Sequence, residues 1–121
     1  MIQGIGVDVV EINRIQQTVE RWGHRFLQKI FTENELRYCF ARKNPTQHLA
    51  ARFAAKEAVS KALATGWSGI FRWQDVEVIN DAVGKPAVRF LGRLGDTLHD
   101  RCVHISLSHA ETIVVAVALI E

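Results

Sequence analysis

Residues 49–63 read LAARFAAKEAVSKAL, an alanine-rich run with helical periodicity and a single acid, Glu57, followed four residues on by Lys61. At about 100° per residue these two side chains fall within about 40° of each other, on a stripe shared with Ala50, Ala54 and Ala64. A stripe of methyl groups leaves space beside the charges. The opposite side carries Ala55, Val59, Ala62 and Leu63, while Leu49 and Phe53 add apolar surface beside the charged stripe, so the helix is expected to be mostly buried. Read alone, Glu57 and Lys61 form an ordinary helix ion pair of a few tenths of a kcal/mol. Taken out of water, the same two charges require compensation of several kcal/mol, which a metal or an anionic ligand supplies. The motif therefore needs a second half elsewhere in the chain.

The chain is 121 residues long with 48% hydrophobic residues, enough for one globular domain over 1–121 with its own core. Cys39 and Cys102 match neither a zinc spacing nor a disulfide framework, which points to a reducing compartment. No apolar run reaches the length of a membrane span, and no basic segment precedes a sustained apolar stretch at the N-terminus. The expectation is a cytoplasmic protein without membrane contact. A net charge of +2 gives no bulk argument for nucleic acid, so any basic surface must arise from local clustering.

Working outward from the helix, Met1 to Val10 (MIQGIGVDVV) alternates as a strand. Gln3, Ile5, Val7 and Val9 share one face; Gly4, Gly6, Asp8 and Val10 share the other. Glycines within a strand mark a bulge or a close neighbour of the backbone, and here they lie on the face of an acid. Asp8 is either a helix-start carboxylate or the missing half of the Glu57 motif. From Glu11 to Trp22, Ile12, Ile15, Val19 and Trp22 repeat at helical spacing, with Arg14, Gln17, Thr18 and Arg21 opposite and Arg25 beyond Gly23. Charged faces are commonly just solvated. This strip is made of arginine alone, which grips carboxylates and phosphates bidentately, and it suggests an acidic protein partner.

Thr32-Glu33-Asn34-Glu35 is a capping box that opens a short helix to about Arg42, and Asn44-Pro45 opens the central one. Thr65-Gly66 marks the end of the latter, before a loop to Trp73 whose aromatics cap the core. Asp75–Ile79 and Ala87–Leu91 form a hairpin about a Gly84-Lys85-Pro86 turn, which places an ammonium beside flexible backbone. A helix from about Arg93 to Asp100 follows. Two strands, Val103–Ser108 and Thr112–Ile120, flank His109 at a turn; the last is apolar on both faces and so belongs at the centre of a sheet or in an interface. The elements add up to an α+β fold, a mostly antiparallel sheet against a long central helix.

Taken together, GIGVDVVEI with Asp8, RFAAKEAVSKAL with Glu57 and Lys61, GKP at Gly84 to Pro86 and HISLSH ending at His109 resemble the bacterial holo-acyl-carrier-protein synthases. The resemblance covers nearly the whole chain. It implies a 4'-phosphopantetheinyl transferase that moves phosphopantetheine from coenzyme A to a serine of apo acyl carrier protein and releases adenosine 3',5'-bisphosphate. It implies Mg²⁺ held by Asp8 and Glu57, with Lys61 at the diphosphate. Arg52, and Arg42 or Lys43 less directly, would meet the nucleotide's phosphates, with Gly84, Lys85 and Pro86 by the adenine and His109 by the phosphates. It further implies a homotrimer with sites shared between subunits, and a carrier protein docked by Arg14 and Arg21 of the basic first helix and by Arg25 beyond it. The chain departs from the family's wording at Trp67 and at Val83 before the GKP turn, so no side-chain contact is carried over at either.

The chemistry agrees. Mg²⁺ takes one or two carboxylates plus phosphate oxygens and water, so two protein ligands suffice. Two other classes share some of these parts: another Mg²⁺-dependent phosphotransferase or nuclease, and a non-enzymatic module whose arginines hold an acidic helix. Nuclease sites with a glutamate-x-lysine pair keep the two residues on a strand, not four apart on a helix.

Overall fold

A computed structural model describes residues 1–64 and 67–121, so the expected helix stop at Thr65-Gly66 lies outside the described residues. The central helix, α4, runs from Pro45 to Ala62 with the proline in its first turn, as Asn44-Pro45 predicts. It lies across a three-stranded antiparallel sheet formed by β1 (Gly4–Glu11), β5 (Ile113–Ile120) and β4 (Val103–His109), in the order β1-β5-β4. The apolar last strand is thus the central one. Its inward residues Val114, Ala116, Ala118 and Ile120 are buried with Val10 of β1 and with Ala54, Ala58, Val59 and Ala62 of α4.

The inner face of the sheet is built from small residues for a reason the sequence only hinted at. A Cβ on Gly4 would stand 2.0 Å from the carbonyl oxygen of Ala62, and one on Gly6 would stand 1.9 Å from that of Ala58. Backbone meets backbone there. The close neighbour that the strand glycines signalled is α4 itself, and Ala116 and Ala118, paired with Asp8 and Gly6, keep the next strand equally low.

Helices α1 (Ile12–Trp22), α2 (His24–Ile30) and α3 (Glu33–Phe40) flank α4. Helix α2 was not apparent in the sequence, because its seven residues make about two turns, too short a run for periodicity to stand out. The chain breaks between α1 and α2 at Gly23, whose φ of 53° lies in the region glycine tolerates. Strands β2 (Val76–Asn80) and β3 (Pro86–Phe90) make the expected hairpin, its first strand beginning one residue later than Asp75, which sits instead in a 3₁₀ turn. Helix α5 is shorter than expected, Gly92–Thr97. The loop aromatics do cap the core: Trp73 stacks on Phe53 with ring centroids 5.5 Å apart and meets Phe71 edge-on.

The capping box at Thr32 is present and does more than cap. Glu35 accepts from the Thr32 backbone N–H at 2.9 Å, and its other oxygen accepts from the Val78 N–H at 2.8 Å, joining α3 to the hairpin. Its carboxylate also holds Lys56 Nζ at 2.7 Å, both side chains wholly buried. Lys56 completes its shell by donating to the carbonyls of Trp73 and Val76, at 2.8 and 2.7 Å. The expectation that Glu57 and Lys61 are the sequestered charges of the helix is therefore corrected. Lys56 and Arg52 are the buried ones, Glu57 is half-buried, and Lys61 has an exposed side chain.

The outer face of the sheet is apolar and open: Ile5, Val7 and Val9 are each more than half exposed, beside Leu119, Val117 and Val115 of β5. Among the described residues no helix is long and apolar enough to cross a membrane.

The backbone contact carries a direct prediction. Gly6→Ala should cost about 2–3 kcal/mol in urea unfolding, because neither the strand nor the helix carbonyl can yield cheaply. Gly69→Ala, at a position with nothing within 4 Å, should stay within about 0.5 kcal/mol of wild type. Equal effects would show that the approach of α4 to β1 is not a constraint.

A candidate active site between the first strand and the central helix

Asp8 follows Gly4 and Gly6 on the inward face of β1, so the tight helix contact delivers it to the side of α4 that carries Glu57 and Lys61. Lys61 Nζ lies 3.0 Å from Asp8 Oδ1 and donates to the Val7 carbonyl, also at 3.0 Å. The ordinary Glu57–Lys61 helix pair is not among the ion pairs of the described residues; the lysine belongs to the strand. Asp8 and Glu57 instead line one cleft of about 310 Å³, together with Glu11, Arg14, Thr18 and Phe53. Burial first, and then the negative charge of Asp8, push the Glu57 carboxyl above its ordinary value, and the weaker pull of Lys61 acts the other way.

Two carboxylates facing one space with a single ammonium between strand and helix form an under-neutralised anionic pair. A hard divalent cation fits such donors: both are oxygen ligands, and the open cleft leaves room for the water and phosphate oxygens that Mg²⁺ prefers to an all-protein cage. The residues present thus match Mg²⁺ better than a softer metal.

One turn and more toward the start of α4 the electrostatics reverse. Arg52 is 4% exposed, yet no carboxylate pairs with it among the described residues. One terminal nitrogen donates to Asn80 Oδ1 at 2.6 Å, and its Nε has no hydrogen-bond partner. Its guanidinium and that of Arg42 both lie over the Tyr38 ring, 4.0 and 3.8 Å from the centroid. Burial, and then Arg52, Arg42 and His109, hold the His48 imidazole below its ordinary pKa, as expected in a positive neighbourhood. A cleft of about 230 Å³ opens here, lined by Tyr38, His48, Arg52, Asn80, Pro86 and His109. A buried guanidinium without a counter-charge can accept an anionic ligand.

Of the nucleotide-side residues expected from the sequence, Arg52, Pro86 and His109 therefore meet in one pocket, and Gln47 Nε2 lies 3.3 Å from the His109 ring. Gly84, with a φ of 87°, is tied to Arg52 through Asn80, whose amide donates to the Gly84 carbonyl at 3.0 Å. Lys85 stands apart, in a neighbouring groove with Asp81 and His104. Arg14, Arg21 and Arg25 are all exposed and unpaired with any carboxylate among the described residues, and Arg14 reaches the rim of the Asp8–Glu57 cleft. Tyr38, His48 and Asn80 were not anticipated. His48 and Arg52 share a helix face four residues apart, a signal the sequence did carry; Tyr38 and Asn80 arrive only through tertiary packing.

The chain is similar to known proteins over nearly its whole length. The family described as the 4'-phosphopantetheinyl transferase superfamily matches residues 4–118. A holo-[acyl-carrier-protein] synthase of Protochlamydia amoebophila is 49% identical over 98% of this chain and 98% of its own length. Among solved structures, the holo-[acyl-carrier-protein] synthase of Neisseria meningitidis superposes with a TM-score of 0.91 at 35% identity, covering 100% of this chain and 99% of that one. The enzyme from Bacillus anthracis, solved in complex with CoA (3',5'-ADP), gives a TM-score of 0.83 at 38% identity, covering 100% and 97%.

The raised Glu57 pKa has a sign that can be measured. A carboxyl with a raised native pKa holds more protons folded than unfolded, so stability falls as pH climbs from the ordinary carboxylate range through the raised value. In protein stripped of divalent ions, Glu57→Gln should be more stable than wild type near neutral pH, with the difference vanishing below the ordinary carboxylate pKa. A difference that does not vary with pH, followed by thermal melting, would contradict the strained carboxylate pair.

Proposed function

Because the chain belongs to the 4'-phosphopantetheinyl transferase superfamily and, within it, to the holo-[acyl-carrier-protein] synthases, we propose that it transfers 4'-phosphopantetheine from coenzyme A to a serine of an apo acyl carrier protein. The meeting of Asp8 and Glu57 in one cleft, with Lys61 paired to Asp8 and a buried arginine without a carboxylate partner further along the same helix, is the observation that carries this reading. It gives one chain a cation-binding carboxylate pair and an anion-binding pocket on the same helix, as a diphosphate nucleotide substrate requires. The fold is read as one domain over residues 1–121.

Asp8 and Glu57 would hold Mg²⁺, which when bound would neutralise charge on the diphosphate. Lys61, fixed by Asp8 and the Val7 carbonyl with its side chain partly in solvent, offers its remaining proton to a phosphate oxygen at the mouth of the cleft. Arg52, with its unused Nε–H, receives a phosphate of the nucleotide, and His109, Pro86 and the Gly84-Lys85 turn border that end. The serine oxygen of the carrier forms a bond to the phosphorus that bears pantetheine. The bond from that phosphorus to the bridging oxygen breaks, and its electron pair leaves with adenosine 3',5'-bisphosphate. Positioning and fixed positive charge supply most of the rate gain, without a covalent enzyme intermediate. No histidine lines the carboxylate cleft among the described residues, so a carboxylate or water takes the serine's proton.

Arg14, Arg21 and Arg25 present exposed, unpaired guanidinium groups to an acidic carrier protein, and Arg14 links that surface to the cleft. The open apolar face of Ile5, Val7 and Val9 is the surface on which copies of the chain associate as a homotrimer, with sites completed at the subunit boundaries. The reading belongs to fatty acid and lipid metabolism in the cytoplasm.

Incubation with coenzyme A, Mg²⁺ and an apo carrier protein should add a phosphopantetheine mass to the carrier; cleavage of a phosphodiester without that gain, or binding alone, would replace this reading. Asp8→Asn and Glu57→Gln should each lower kcat about 100-fold or more without unfolding the chain, and full activity in both would remove the metal assignment. Arg14→Glu with Arg21→Glu should raise KM for the carrier at least about tenfold, steeply dependent on salt, while leaving KM for coenzyme A nearly unchanged. Arg52→Met should do the reverse.

A further inference from the structure

A second set of metal-ligating side chains lies at the end of the sheet away from His109. Cys102 stands directly opposite Glu121: the Cys102 N–H donates to the Glu121 carbonyl at 3.0 Å, and the Glu121 N–H returns a bond to the Cys102 carbonyl at 2.9 Å. Residues that exchange both backbone bonds in an antiparallel pair project their side chains to the same side. His104 is two residues on from Cys102, just inside β4, and so projects to that side as well. Ile105, between His104 and Ser106, is buried, which places all three donors on the outer, solvent side. The register of the sheet, not a chance of loop packing, thus gathers a thiol, an imidazole and a carboxylate.

The distances suit a metal. His104 Nε2 lies 3.5 Å from Cys102 Sγ and 2.8 Å from Glu121 Oε1, and the three donor atoms all fall within 4.8 Å of one another. Zinc bonds of roughly 2.3 Å to sulfur and 2.0–2.1 Å to nitrogen or oxygen, at tetrahedral angles, require edges of about 3.6 and 3.3 Å. The sulfur–nitrogen edge is already in place, and the nitrogen–oxygen edge needs an opening of about half an ångström that exposed side chains allow. We propose that Cys102, His104 and Glu121 bind a divalent transition ion of the zinc type, with a fourth position open to water.

The donor set separates this site from the Asp8–Glu57 pair. A thiolate and an imidazole favour zinc over magnesium, whereas two carboxylates in an open cleft offer the hard oxygen donors that magnesium takes. All three donors come from one chain. A bound ion ties the start of β4 to the end of β5, and through β5 it holds β1 in register.

Cobalt(II), a spectroscopic stand-in for zinc, tests this on the full-length chain under reducing conditions. A thiolate-to-cobalt charge-transfer band should appear at one equivalent per chain and disappear when Zn²⁺ is added. The band should be lost in Cys102→Ser and in His104→Gln, and should persist in Cys39→Ser, whose thiol is fully buried in the core, and in Asp8→Asn. At about 100-fold excess over its Kd, Zn²⁺ should raise the melting midpoint of wild type by roughly 5 °C or more, and that of Cys102→Ser not at all. Absence of the band in wild type, its survival in Cys102→Ser, or an equal thermal shift in both would reduce the cluster to an ordinary His104–Glu121 pair beside a free thiol.

Discussion

Two carbonyl oxygens of the central helix, those of Ala58 and Ala62, occupy the space that side chains on Gly6 and Gly4 would need. That close approach sets the spacing of everything built on it. With the helix lowered onto the strand, the next inward residue of β1 is Asp8, and the next outward turn of α4 presents Glu57 and Lys61. The two glycines touch no ligand and carry no charge, yet they determine the distance over which the charged groups act. A chain with larger residues there would retain all three charged side chains and lose their juxtaposition.

The opposite side of the same helix shows how a buried cation is made structural or left available. Lys56 is enclosed by the Glu35 carboxylate and two carbonyls, a complete shell for an ammonium; burial still lowers its pKa despite that partner. Arg52, one turn earlier and nearly as buried, has an amide oxygen, a tyrosine ring and an Nε–H with no acceptor. The desolvation cost of the lysine is offset within the fold. That of the arginine is offset only in part, by one amide oxygen and the face of a ring.

Much of this was legible in the sequence. Strand alternation placed Asp8 on the glycine face, the Thr32 box opened α3, and the doubly apolar last strand went to the middle of the sheet. What escaped was whatever depends on which side of α4 meets which neighbour. Lys56 reads as one more solvated lysine until Glu35, 21 residues earlier in the chain, folds over it. The short helix after Gly23 has too few turns for periodicity to register, and Tyr38 joins the arginine pocket only because α3 packs beside α4. Charge burial was rightly expected of the helix but attached to the wrong pair, since an alanine stripe does not reveal whether a sheet or solvent covers it.

The pairing of β1 with β5 brings together strands from opposite ends of the chain, Gly4 beside Ile120 and Glu11 beside Ile113. Contacts of such long range form late, because the entropy of closing the intervening loop must be met before they contribute. During synthesis, therefore, the first strand and the helix that rests on it have no central strand to complete their layer until β5 has been made. The helices can form early, while the layer beneath Asp8 and Glu57 stays open until β5 is laid beside β1.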